Sequence, residues 1–146
     1  ARALHRAFER HEIKKTYWAI VSGTPPADNW DCHEPLRKTD DAPEREAYTS
    51  FRVLENSASL FLIEATPHTG RTHQIRKHLL HAGIPIVGDY RYAGIDPSDK
   101  IGKQLGTGTR MLLQSRQMEF RHPATAEQTT ITAPVDPMLA LCFPQQ

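Results

Sequence analysis

An α+β domain, with a mixed and mainly antiparallel sheet flanked by helices, is what this sequence predicts. Three observations carry that expectation. Segments with strand character come in groups instead of alternating strictly with helices. One of them, Thr16 to Val21, is apolar on both faces, with Tyr17, Ala19 and Val21 on one side and Trp18 and Ile20 on the other, which calls for a central strand covered twice. The strongest helical pattern opens at Thr69-Gly70, runs to about Ala82, and is stopped by Gly83 with Pro85 just beyond.

The elements follow in order. Residues 1 to 13 have helical spacing, with Leu4, Phe8 and Ile13 near one face. The strand Thr16–Val21 is closed by Ser-Gly-Thr-Pro-Pro. Residues 22 to 46 are polar, acidic and proline-containing, the profile of a long connection with a short strand or two. Ala47–Glu55 and Ser59–Thr66 read as a hairpin turning at Asn56-Ser57. The helix after it presents Ile75, Leu79 and Ala82 to the core. Residues 94 to 109, with four glycines, read as a loop. Met111–Ser115, Gln117–Phe120 and Gln128–Thr132 supply short strands. Pro137–Phe143 suits one or two helical turns packing Leu139 and Leu141.

With 146 residues, 38% apolar and 24% charged, the chain fits one domain, or most of one, with a real core, and not a disordered segment. No apolar stretch, Leu60–Ile63 among them, is long enough to cross a bilayer. The first residues have no signal-peptide core and no initiating Met, so the start reads as a cut. Cys32 and Cys142 lack any paired spacing and read as reduced thiols of a cytoplasmic protein. The net charge of +1 says little, but its distribution says more. Residues 28 to 46 are acidic, whereas Ala65 to Gly88 contain no acid at all and carry Arg71, Arg76, Lys77 and four histidines. Such a stretch predicts a local anion-binding surface, against the plainer reading of a solvated helix face.

The segment Thr66-Pro-His-Thr-Gly-Arg-Thr-His-Gln-Ile-Arg-Lys-His-Leu-Leu80 places cations in the first turns of a helix, where the macrodipole disfavours them. An anion docked there would explain the arrangement. A second reading makes His73, His78 and His81 metal ligands. Their spacing does not put all three on one helical face, and no thiol or carboxylate lies nearby in sequence to complete a shell.

Thr69-Gly-Arg-Thr-His-Gln-Ile-Arg-Lys-His78, followed by Gly83-Ile-Pro-Ile-Val-Gly-Asp89 and Tyr92, resembles the RluA-family pattern TGRTHQIRxH…GxPIxGDxxYG of pseudouridine synthases. Lys15-Thr-Tyr-Trp-Ala-Ile-Val21 is similar to that family's KxYxAxV segment, and Arg110-Met-Leu-Leu with Phe120-Arg-His-Pro123 to its terminal region. Ala93 and Gln114 depart from the pattern. The resemblance spans nearly the whole chain. It implies that residues 1–146 are the C-terminal portion of a single catalytic domain, of the pseudouridine synthase fold. It also implies isomerisation of uridine to pseudouridine in ribosomal or transfer RNA, without metal or cofactor. By the same likeness, Arg76 pairs with a catalytic Asp and Tyr17 stacks on the target uracil and serves in C5 deprotonation. Lys15, Arg71, His73, Gln74 and Lys77 contact RNA. Asp89 caps or pairs locally, or touches RNA.

The family's HRLDxxTSG-like segment, whose Asp is essential, precedes the helix that matches residues 1–13. No Asp of this chain lies in an Arg-Leu-Asp setting, so this polypeptide alone is expected to be inactive and to leave Arg76 unpaired. A different class of function, a non-catalytic RNA-binding module or degenerate paralogue, uses the same basic residues. It has no need of both Tyr17 and Arg76.

Overall fold

In the computed structural model, residues 13–143 are described; the helix expected over residues 1–13 lies almost wholly outside them. Six strands form one sheet: β1 (Lys14–Ser22), β2 (Asn29–Cys32), β3 (Thr49–Ser57), β4 (Leu60–Pro67), β5 (Leu113–Arg121) and β6 (Gln128–Thr132). Their order is β2-β3-β4-β1-β5-β6, and every pairing among them is antiparallel. Four helices accompany the sheet among the described residues: α1 (Gln74–His81), α2 (Tyr90–Ala93), α3 (Ile95–Leu105) and α4 (Pro137–Cys142).

β1 lies inside the sheet, paired to β4 and β5. Its alternation places Ala19 and Val21 in one core with Phe51, Ile63, Ala65, Ile75 and Leu79, and Tyr17 packs at the margin of this core. Ile20 enters a second core on the other face with Leu62, Val87, Leu112, Leu139 and Phe143, with Trp18 at its margin. The doubly apolar strand is thus explained by a sheet packed on both sides. Leu112 and Leu113 part company, Leu112 joining the second core and Leu113 packing beside Tyr17 in the first.

Several boundaries differ from expectation for identifiable reasons. The β3–β4 turn is Ala58-Ser59, not Asn56-Ser57, because Asn56 and Ser57 pair with Phe61 and Leu60. Ala58 takes the positive φ of 55° that a two-residue hairpin favours. The two strands expected over 111–120 are one, β5. The pairing of Thr16 with Gln117 and of Tyr17 with Ser115 leaves Arg116 as the extra residue of a bulge, not a break. The glycine-rich segment 94–109 is largely α3. Gly94 (φ 94°) and Gly106 (φ 73°) bound it, Pro97 sits in its first turn, and Gly102 packs so closely that a Cβ there would strike the Gly108 carbonyl. In α4, Leu139 is buried as expected, but Leu141 is 54% exposed. Asp136 caps this short helix by accepting from the Met138 amide at 2.8 Å.

Candidate active site

The helix of the basic motif begins at Gln74, five residues after the expected opening at Thr69-Gly70, and His73 precedes it in the left-handed region (φ 54°). Gln74 explains the delay. Its Oε1 accepts from the Thr69 hydroxyl at 2.6 Å and from the Arg71 amide at 3.0 Å, folding the preceding residues into a loop. Its Nε2 donates to the Tyr48 carbonyl and to Thr49 Oγ1, each at 2.9 Å. Gln74 is 5% exposed with its amide engaged on both sides, so it works as a clasp between loop and sheet. Gln74 lines the cleft with its amide already occupied by these internal bonds.

The clasp continues through Thr49 to His78. Thr49 Oγ1 lies 2.7 Å from His78 Nδ1, and His78 Nε2 lies 2.9 Å from the Glu34 carbonyl. A carbonyl only accepts, so Nε2 carries the proton, and in the neutral ring Nδ1 accepts from Thr49. Burial holds His78 below its ordinary value. Because the unfolded chain binds this proton near pH 6.5 and the fold resists it, stability is full above that pH and falls as the pH drops below it. His73, lowered by burial and by Arg76, Arg91 and Lys77, adds to the same trend. Thermal melts between pH 7.5 and 5 are expected to show this loss. His78→Asn should lower stability at pH 7.5 by about 1–3 kcal/mol and flatten the acid slope; an unchanged slope would contradict the assignment.

Arg76 is not unpaired. Its Nε and Nη2 donate to Asp89 Oδ2 and Oδ1 at 2.9 and 2.8 Å, a bidentate pair whose carboxylate side chain is 0% exposed. This hydrogen bonding raises the Arg76 pKa further. The fold thus supplies an acid missing from the neighbouring sequence. Asp89 also caps α2, accepting from the Tyr92 amide at 3.3 Å. Before it, Gly88 (φ 82°) leaves no room for a side chain, since a Cβ would run into the Arg110 carbonyl. Tyr92 closes the arrangement: Arg76 Cζ lies 5.0 Å from its ring centroid, and its hydroxyl is 2.9 Å from His73 Nδ1.

Arg76 and His73 border a cleft of about 910 Å³ lined also by Lys15, Tyr17, Arg71 and Gln74, with Met111 and Leu113 among its apolar residues. β1 and α1 therefore bring Tyr17 and Arg76, 59 positions apart in sequence, to one cavity. Burial pushes the Tyr17 phenol above its ordinary range, so at neutral pH the ring is uncharged. Its hydroxyl has no hydrogen-bond partner among the described residues. Arg71 lies in the loop, its Nε donating to the Glu46 carbonyl at 2.6 Å. Lys77 is not among the cleft residues; its Nζ donates to the Arg37 carbonyl at 2.8 Å, and burial followed by Arg91 and Arg76 lowers its pKa. Arg91, 5.6 Å from the Tyr92 ring, is a cation that the motif did not single out.

The three histidines of the metal reading point to different partners: His73 to Tyr92, His78 to Thr49 and Glu34, and His81 to the Glu34 carboxylate at 3.8 Å. No group of three His, Cys, Asp or Glu among the described residues is placed to hold a metal. Both cysteines are free, and no described helix is long and apolar enough to cross a membrane.

The chain is similar to several known proteins. The chain is 38% identical over 145 residues to the ribosomal large subunit pseudouridine synthase C of Buchnera aphidicola subsp. Baizongia pistaciae, covering 92% of this chain and 46% of that protein. It is 39% identical over 150 residues to the protein of that name from Haemophilus ducreyi (92% and 45%), and 36% identical over 158 residues to that of Escherichia coli K12 (97% and 48%). The chain thus spans about half the length of the curated relatives it matches. Its fold is shared with the solved structure of human RNA pseudouridylate synthase domain containing 4, at a TM-score of 0.80 and 23% identity, over 99% of this chain and 66% of that one. The sequence pattern of the family described as RNA pseudouridylate synthase matches residues 1–81, more than half of the chain, and the chain belongs to that family.

Proposed function

We propose that the complete protein is an RNA pseudouridine synthase acting on a uridine of ribosomal RNA, with transfer RNA the alternative substrate. The observation that carries this reading is the meeting of Tyr17 and Arg76 in one cleft edged by Lys15, Arg71 and His73. The reaction breaks the N1–C1′ bond, forms a C5–C1′ bond, releases the C5 proton and leaves a proton on N1. It needs a carboxylate near the ribose, a holder for the extruded base and a route for the C5 proton. Tyr17 offers a flat uncharged ring for the base and an oxygen without a hydrogen-bond partner among the described residues. Arg76 offers the N–H groups that Asp89 leaves over to the carboxylate, which the complete protein supplies from outside the described residues. Lys15, Arg71 and His73 face the phosphates, and Lys77 and Gln74 serve RNA only at second hand, by holding the loop and helix in place.

Release of tritium from ribosomal RNA labelled at uridine C5 tests the reading. The complete protein is expected to release tritium in proportion to the pseudouridine formed, and residues 1–146 alone to release none while still binding RNA. A complete protein that binds RNA without any release would favour the non-catalytic module.

A further inference from the structure

We propose that the stacked rings of His68, Tyr48 and His33 form a platform for an unpaired RNA base neighbouring the target uridine. The inference rests on the RNA reading above. The ring centroids of His33 and Tyr48 are 4.2 Å apart at 19°, and those of Tyr48 and His68 are 4.1 Å apart at 24°. The rings come from three segments: the residue after β2, the residue before β3, and the residue after β4. His33 and His68 are exposed and Tyr48 is half-buried, so the stack borders solvent and not a core. Its His68 end lines the same cleft as Tyr17 and Arg71.

The stack is held more firmly than sheet pairing requires. The Tyr48 amide donates to Thr69 Oγ1 at 3.0 Å, while its carbonyl accepts from Gln74 Nε2 at 2.9 Å and from the His68 amide at 2.8 Å. Ser50 Oγ lies 2.9 Å from His68 Nε2, fixing that ring, and the Tyr48 hydroxyl is 3.4 Å from Asp31 Oδ2. The clasp that shapes the cleft therefore also sets the platform. Single-stranded RNA is gripped by stacking its bases on aromatic and histidine rings, in a manner tolerant of sequence. The Asp31 carboxylate at the edge repels a phosphate, so the surface suits a base and not the backbone. Arg71, anchored on the Glu46 carbonyl two residues before Tyr48, stands beside it for the backbone.

The test uses the complete protein and short single-stranded oligoribonucleotides, each with one uridine and 2-aminopurine at one neighbouring position in turn. Binding is expected to quench the fluorophore at one position. His68→Ala should abolish that quenching and weaken binding about tenfold, and His68→Phe, which keeps a flat ring, should retain both. An abasic site at the same position should weaken wild-type binding by a like factor and leave His68→Ala unaffected. Binding and quenching unchanged in His68→Ala, or binding without quenching at any position, would remove the platform and leave the RNA reading standing. A wild-type protein that binds none of the oligonucleotides would remove both.

Discussion

Arg76→Ala in the complete protein is expected to reduce tritium release from C5-labelled RNA about 100-fold or more, the order seen when a fixed donor at a developing charge is deleted. The substitution removes the guanidinium that spans Asp89 and the cleft. It also strands Asp89, a fully buried carboxylate, and loss of one partner from a buried pair costs about 3–5 kcal/mol. The two effects separate in the double variant Arg76→Ala/Asp89→Asn, which has no stranded charge. Its melting temperature should recover while its turnover does not. Arg76→Lys should fail as well, because an ammonium cannot hold two carboxylates in one plane. Asp89→Asn alone makes Asp89 a positioning residue if it lowers kcat with little change in RNA affinity. Near-normal release by Arg76→Ala or Arg76→Lys would end the assignment.

Tyr17→Phe should bind RNA within about twofold of wild type and yet lose nearly all turnover, about 100-fold or more, the scale of a positioned proton-transfer group. The ring packs against the first core, and Phe preserves that contact. The hydroxyl has no hydrogen-bond partner among the described residues, so stability should shift by no more than about 0.5 kcal/mol. Single-turnover release paired with a filter-binding isotherm measures the two quantities independently. Equal loss of both would make Tyr17 a structural residue of β1 and nothing more.

Much of this was legible in the sequence, and the gaps have physical causes. The two-faced pattern of Thr16–Val21 placed β1 inside a sheet, because alternation reports directly which faces are covered. The helical stripe Ile75 and Leu79 was equally direct. Gly94 and Gly106 misled because a helix cap and a loop use the same residue for the same positive φ. Arg116 misled because a bulge interrupts alternation as a chain break does. At the site, the charge pattern singles out Arg76 as one cation of a basic stretch, whereas the roles expected of Tyr17 and Arg76 come through resemblance alone. Asp89, 13 positions after Arg76, was visible in the Gly88-Asp89 pair but not as its partner. His68 and Tyr48 carried no local signal, since a stack built from three segments exists only after the sheet has brought them together.

The bonding of Gln74, Thr49 and His78 changes what the motif can be used to infer. Within Thr69–His78, Thr69, Gln74 and His78 are occupied in holding the loop and helix to the sheet, independently of any substrate. Selection for folding alone would keep them. A descendant that had stopped modifying RNA would then retain much of its fingerprint, and a survey of genomes by that fingerprint would count retired copies among the working ones. The discriminating groups are those that hold nothing up. The Tyr17 hydroxyl is such a group, since no hydrogen-bond partner holds it among the described residues, whereas its ring still packs on the first core.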